Sequence, residues 1–304
     1  MIIKHDIKSY SITWLASSYD KTSSKGIISN YYIPENLEEL VTLCRNLYSE
    51  KKDFYIIGHT SNVYIQPNTN ITNVISIRKL TKWKLNEDFL YCECGVNVKL
   101  LSSAMIEAGK AGFEGLVDLP GTIGGAVYGN ASVSRYSIAG LLKTCTILLE
   151  TGEIRQFKPN ELEFSFRSSN LKSKKIRGVI LSCELNTKSG NIEQLRETAR
   201  YVHEWREKNQ CGPKNNLGTT ALISRYTLKG VFLCGCVRLM NISHSDEFRK
   251  NWILRFFNAT KLKPYLSGLN RYIWRDKEAH NLFPFYLETL KKIYKDPKLE
   301  IEVW

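Results

Sequence analysis

The stretch Leu119-Pro120-Gly121-Thr122-Ile123-Gly124-Gly125-Ala126-Val127-Tyr128-Gly129-Asn130-Ala131 constrains this chain more than any other. Four glycines stand between Pro120 and Asn130, with no charged side chain among them. A surface loop would carry more polar groups, and a plain strand does not tolerate so much glycine. Glycine serves where φ is positive or where another group must lie against bare backbone. Gly124-Gly125-Ala126 therefore offers a run of nearly naked N–H groups, suited to a phosphate or to the polar edge of a flat cofactor. The competing reading is a tight buried turn between two core strands.

The 304 residues leave room for two ordinary domains. Hydrophobic residues make up 43% and charged residues 24%, the profile of a soluble globular chain. No apolar run approaches the roughly 20 residues that a membrane helix needs. The start, Met1-Ile2-Ile3-Lys4-His5-Asp6, does not read as a secretory signal. Eight cysteines are scattered, mostly in apolar runs. Cys92 and Cys94 stand two apart, as do Cys234 and Cys236, and neither pair is followed by a second cluster at ligand spacing. That argues against zinc or any other metal and fits a reducing cytoplasm. The net charge of +13 is spread along the chain. Without an arginine-rich helix or a zinc finger, it speaks for a phosphorylated small molecule more than for nucleic acid.

Taken in order, residues 27–33 read as a strand, and Pro34-Glu35-Asn36 opens a helix through Tyr48 with Leu37, Leu40, Val41, Cys44 and Leu47 on one face. Residues 54–57 form a buried strand that runs into Gly58-His59-Thr60-Ser61-Asn62, after which residues 63–65 resume. Strand, small polar loop and strand make a phosphate-cradle layout. Further strands fall at 74–77 and 89–95, and a helix at 100–108 ends on Gly109. Residues 144–149 and 153–157 make a hairpin around Thr151-Gly152. A strand at 178–185 and a long helix at 192–210 follow. Beyond them lie strand candidates at 222–223 and 230–238, helices at 248–257 and 283–294, and a last element at 299–304. A domain boundary is expected near residue 187, giving domains 1–187 and 188–304.

The order of motifs is more telling than any one of them. After Gly58-His59-Thr60-Ser61-Asn62 come Gly115-Leu116-Val117-Asp118-Leu119-Pro120-Gly121-Thr122-Ile123-Gly124-Gly125-Ala126 with Asn130, then Phe164-Ser165-Phe166-Arg167-Ser168-Ser169-Asn170, and finally Leu299-Glu300-Ile301-Glu302-Val303. This order resembles the MurB family of UDP-N-acetylenolpyruvoylglucosamine reductases, clearly over residues 27–185 and again at the C-terminus. The resemblance implies an α+β fold: an FAD-binding domain of the vanillyl-alcohol-oxidase (PCMH) type with two α/β subdomains, and a smaller C-terminal α+β substrate domain. It implies non-covalently held FAD, NADPH as electron donor and an enolpyruvyl UDP-sugar or related nucleotide sugar as substrate. On this reading Gly58, His59, Thr60, Ser61, Asn62, Pro120, Gly121, Thr122, Gly124, Gly125, Ala126 and Asn130 bind the cofactor. No Gly-x-Gly-x-x-Gly joins a strand to a helix, so a nicotinamide domain of the Rossmann type is not indicated.

The family reduces an enol ether, and negative charge develops on the neighbouring carboxylate as an enolate. Such charge needs a fixed cation, and the adjacent carbon needs a proton. By resemblance Arg167 supplies the cation, Thr219 in Leu217-Gly218-Thr219-Thr220-Ala221 the proton, and Glu302 assists. Here Phe166 stands where the family has tyrosine, Thr219 where it has serine or cysteine, and Ala221-Leu222-Ile223-Ser224 where it has Phe-Lys-Asn-Pro. These departures fall on the substrate side. A divergent FAD-dependent sugar or polyol oxidase or dehydrogenase, and a flavin-binding protein without catalysis, are the alternatives. His59 directly follows a glycine, as the flavin-linking histidine does in covalent relatives of this fold. The Ser61-Asn62 that follows favours the non-covalent form.

Overall fold

A computed structural model describes residues 10–11, 27–64, 69–133, 136–209, 221–222, 227–228, 246–268, 271–272, 277–295 and 297–304. The candidate strand at 230–238 and Thr219 lie outside these residues. The described chain divides into two compact units. The first holds Tyr10–Ser11 and the described parts of Gly26–Ser61 and Asn70–Lys208; the second holds those of Asn62–Thr69 and Asn209–Trp304.

In the first unit, strands β1 (Tyr10–Ser11), β2 (Ile27–Tyr32), β3 (Tyr55–Ile57) and β4 (Asn70–Ser76) form one sheet in the order β1-β2-β4-β3. β2, β4 and β3 run parallel, and β1 is antiparallel to β2. The crossover from β2 to β3 is helix α1 (Leu37–Ser49). Asn36 caps it by accepting from the Glu39 amide at 2.9 Å, while the Glu39 carboxylate takes the Glu35 amide. Leu40, Leu43, Cys44 and Leu47 recur at helical spacing and are buried.

The second sheet is antiparallel throughout. Its strands are β5 (Trp83–Leu85), β6 (Phe89–Glu93), β7 (Leu142–Leu149), β8 (Ile154–Phe157) and β9 (Gly178–Asn186), in the order β8-β7-β9-β6-β5. β7 and β8 are the expected hairpin, with Leu148 opposite Ile154. Cys145 stands opposite Cys183, and Cys183 opposite Cys92, so three thiols line up across β7, β9 and β6. All three are buried, with the Cys145 and Cys183 sulfurs 3.8 Å apart. Helix α2 (Val98–Glu107) and a short helix α3 (Ile123–Tyr128) adjoin this sheet's core.

Helix α4 (Ile192–Asn209) was expected to open the second domain beyond residue 187, whereas the first unit runs through Lys208. The reason is its narrow apolar face. Leu195 and Ala199 pack with Ile106 of α2, and Val202 joins the main core. The second unit has a separate aromatic core. Ile253 and Leu254 of α5 (Asp246–Phe256) meet Leu262, Tyr265 and, from α6 (Lys277–Ile293), Phe283, Tyr286 and Leu290. Two short ladders complete it: Ala221–Leu222 antiparallel to Lys298–Leu299, and Val63–Tyr64 parallel to Glu302–Val303. Among the described residues no helix is long and apolar enough to cross a membrane.

Candidate functional site

The chain leaves β3 at Ile57 and turns through Gly58–Asn62. The Gly58 carbonyl accepts from Arg78 Nε at 2.7 Å. Thr60 adopts φ 56°, and its hydroxyl donates to the His59 carbonyl. Ser61 Oγ donates to the Pro120 carbonyl at 3.3 Å, which joins this loop to the glycine stretch. Gly121 has φ 117°, a backbone conformation open to glycine, and a Cβ there would lie 3.0 Å from Ser61 Oγ. A Cβ at Gly58 would come within 2.5 Å of Thr122 Oγ1. The two expected cofactor loops are thus packed directly on one another.

The glycine stretch is neither an open row of N–H donors nor a turn between two strands. Thr122 caps α3, its Oγ1 accepting from the Gly125 amide. The Gly124 amide donates to the Cys94 carbonyl at 2.8 Å, and that of Ala126 to the Thr122 carbonyl. The Gly124 amide is thus taken up by the chain just beyond β6, and those of Gly125 and Ala126 by the first turn of α3. The two adjacent glycines then divide the work. A Cβ at Gly124 would sit 3.0 Å from Cys94 Cβ, so Gly124 lets α3 lie against the end of β6. A Cβ at Gly125 would meet only Thr122 Oγ1, at 3.4 Å, and this residue is exposed. Bare backbone open to one side is what a flat ring needs for close approach. The residues present therefore fit a flavin through the backbone surface at Gly125.

His59 is half-buried, with Nδ1 3.3 Å from the Asn97 amide nitrogen. An amide nitrogen only donates, so Nδ1 accepts and the neutral ring carries its proton on Nε2. Burial first, and the Arg78 charge second, hold its pKa below the usual histidine value. Arg78 is a residue the sequence pattern missed; it follows β4 as one base among several.

Asp118, two residues before Pro120, is held by His203 Nδ1 of α4 at 2.6 Å and by Lys99 Nζ at 3.1 Å. Burial pushes its carboxyl up, but the bonds from His203 and Lys99 outweigh that and hold it low. Arg206, one turn beyond His203, is half-buried. Burial pushes its pKa down, the Asp118 carboxylate opposes this, and the charge of Arg167 adds to it. Two guanidinium groups, Arg167 and Arg206, are thus within electrostatic reach of each other, a feature without a sequence motif.

Arg167 lies at the tip of a tight turn. Ser165 and Ser168 exchange backbone hydrogen bonds at 3.1 and 3.2 Å, Arg167 has φ 58°, and Phe166 beside it is 71% exposed. Asn130 Nδ2 donates to the Ser165 carbonyl at 2.8 Å. Asn130, expected at the cofactor, is thus placed against the arginine turn. In the second unit the Glu302 amide donates to the Asn62 carbonyl at 2.9 Å, and Asn62 Nδ2 donates to the Glu300 carbonyl. Glu302 and Asn62 are thereby neighbours. Among the described residues no group of three or more His, Cys, Asp or Glu side chains could hold a metal ion.

Comparison with known proteins agrees with this geometry. Residues 28–158 match the family described as FAD binding domain, so the first unit contains a flavin-binding domain. Over 176 residues the chain is 30% identical to the UDP-N-acetylenolpyruvoylglucosamine reductase of Carboxydothermus hydrogenoformans, covering 58% of this chain and 57% of that one. It is 27% identical over 186 residues to the enzyme of the same name from Clostridium beijerinckii, covering 61% and 60%. The matches thus span about three fifths of these relatives' length. The crystal structure of MurB from Thermus caldophilus shares the fold with TM-score 0.65 at 21% identity, over 90% of this chain and 91% of that one. Residues 28–158 thus carry an FAD-binding domain, and the chain is similar in sequence to the UDP-N-acetylenolpyruvoylglucosamine reductases and in fold to MurB.

Proposed function

We propose that this protein is an FAD-dependent reductase of an enolpyruvyl nucleotide sugar or a closely related activated sugar, with NADPH as electron donor. The observation that carries the reading is the placement of Arg167: a cation on a turn fastened to the end of the very helix whose Gly125 offers bare backbone to a flavin. FAD, when bound, supplies hydride chemistry that no side chain can. The bare backbone at Gly125 admits the cofactor. Arg167 stabilises the negative charge that develops on the substrate carboxylate. Thr219 donates the proton to the adjacent carbon, and Glu302 assists. The first unit serves the cofactor and the C-terminal unit the substrate.

Phe166, Thr219 and the Ala221–Ser224 segment depart from the family pattern, and they favour a second reading in which the same flavin chemistry acts on a different sugar. The deciding experiment is anaerobic. Purified protein should be yellow, be bleached by NADPH, and recover its absorbance on adding UDP-N-acetylglucosamine enolpyruvate. A colourless protein that takes up no FAD defeats both readings. Bleaching without recovery leaves only the second.

A further inference from the structure

Two residues other than glycine hold left-handed backbone on either side of one contact: Asn130 at φ 45° and Arg167 at φ 58°. Asparagine tolerates this region, but arginine rarely adopts it without support from its surroundings. The turn itself is closed by the reciprocal Ser165–Ser168 bonds. It needs no further bond for its shape, yet two tie it to α3. Asn130 Nδ2 donates to the Ser165 carbonyl at 2.8 Å, and Ser169 Oγ donates to the Tyr128 carbonyl at 2.7 Å. Ser169 is 2% exposed. The first tie is made at a cost, because Asn130 Oδ1 is buried with no hydrogen-bond partner. A buried acceptor left without a donor is a poor choice for stability alone. Strain and an orphaned acceptor kept at one spot point to function.

We propose that Asn130 and Ser169 are positioning residues, which fasten the Phe166-Arg167 turn to the C-terminal end of α3 and so set the Arg167 guanidinium at a fixed distance from the backbone surface at Gly125. The inference rests on the reading of Arg167 given above. Helix α3 has six residues and is about 9 Å long. Gly124 and Gly125 lie in its first turn, while Tyr128 ends it and Asn130 stands two residues beyond. The helix acts as a ruler between cofactor surface and cation. Misplacing a charge by about an ångström costs on the order of 100-fold in rate even when binding is intact.

Asn130→Gly keeps the left-handed backbone at no steric cost and removes only the amide. Ser169→Ala removes the hydroxyl, and Ser169→Thr retains it. The full-length, FAD-loaded proteins are compared by three readouts: FAD affinity, rate of flavin reduction by NADPH, and rate of reoxidation by UDP-N-acetylglucosamine enolpyruvate. Asn130→Gly and Ser169→Ala should both slow reoxidation by on the order of 10- to 100-fold, and Ser169→Ala should leave FAD affinity and flavin reduction within about 3-fold of wild type. Ser169→Thr should restore reoxidation; if it does not fold, Asn130→Gly carries the test alone. Equal reoxidation in all variants overturns the proposal, as does a parallel fall in all three readouts in Ser169→Ala. A fourth readout needs no substrate: trypsin cleavage at the Arg167–Ser168 bond, mapped by mass spectrometry. It should accelerate at least about 10-fold in Asn130→Gly and Ser169→Ala as the turn comes loose. If wild type is not reoxidised by the enolpyruvyl sugar, the functional reading fails. The cleavage rates then decide the tether by themselves, and rates equal to wild type overturn it.

Discussion

The two units are held together by different means. The first is organised by two sheets of four and five strands, the longest of eight and nine residues, closed by helices whose apolar residues recur at spacings of three and four. The second rests on an aromatic core of Phe283, Tyr286, Tyr294 and Tyr265, with ladders only two residues long at Val63–Tyr64 and Lys298–Leu299. The residues that match the FAD binding domain, 28–158, fall in the first unit apart from residues 62–69. The proposed cofactor surface at Gly125 therefore belongs to the sheet-built unit, and Glu302, proposed to act on the substrate, to the aromatic one.

The contrast between cradle and substrate side can be broken first at Gly125. Gly125→Val should yield a soluble protein purified without flavin, because its side chain would project into the open side of α3 and meet only Thr122 Oγ1. Gly125 is not among the residues with positive φ, so the loss would come from filled space and not from strain. A full complement of FAD in the purified variant would refute this. Arg167→Met should do the opposite, keeping FAD while turnover falls on the order of 100-fold or more; wild-type turnover would reduce Arg167 to a surface residue. Phe283→Ala should cost the second unit about 3–5 kcal/mol, since the ring is fully buried. Hydrogen exchange read by mass spectrometry should show lost protection in α5 and α6 and none in β6, β7 and β9. A uniform loss would mean that the two cores melt as one.

The smallest effect concerns pH. Asp118 raises the pKa of His203 first through their hydrogen bond and then through its charge. The histidine's contribution is fully present below its unfolded value of about 6.5 and is lost as pH rises through the higher folded value. Asp118 works in the other direction, contributing above about 3.8 and losing it as pH falls through its lowered folded value. The pair is therefore strongest between those limits. The His203 side chain is 48% exposed, so the gain is about 0.5 kcal/mol or less. His203→Gln should flatten the fall in melting temperature as pH rises above about 6.5, and an unchanged slope would count against the pair.

What could be read beforehand was local. The helix after Asn36 announced its cap and its buried face, and Thr151-Gly152 announced the hairpin. The shape of the glycine stretch was not legible, because the partners that absorb its N–H groups are Cys94, far upstream, and a threonine that doubles as cap. Strand β5 escaped notice, being three residues long and largely exposed. Asn130 meets Ser165 across 35 residues, and Asp118 meets His203 across 85. No periodicity encodes such pairings. The same holds for the backbone bond between Asn62 and Glu302, which needs the whole intervening chain in place.

The file of thiols across β7, β9 and β6 gives the sheet a built-in clock. Burial pushes the Cys92 thiol well above its usual range, and that of Cys183 is raised by its hydrogen bond with Cys145 and by burial, so neither is nucleophilic in the folded protein. An alkylating reagent reaches them only in molecules whose central strands have parted. Its uptake at Cys92, Cys145 and Cys183, resolved peptide by peptide, therefore counts opening events strand by strand. Simultaneous labelling of the three would time a single concerted rupture, and labelling in the order Cys145, Cys183, Cys92, or its reverse, would show the sheet unzipping from one side.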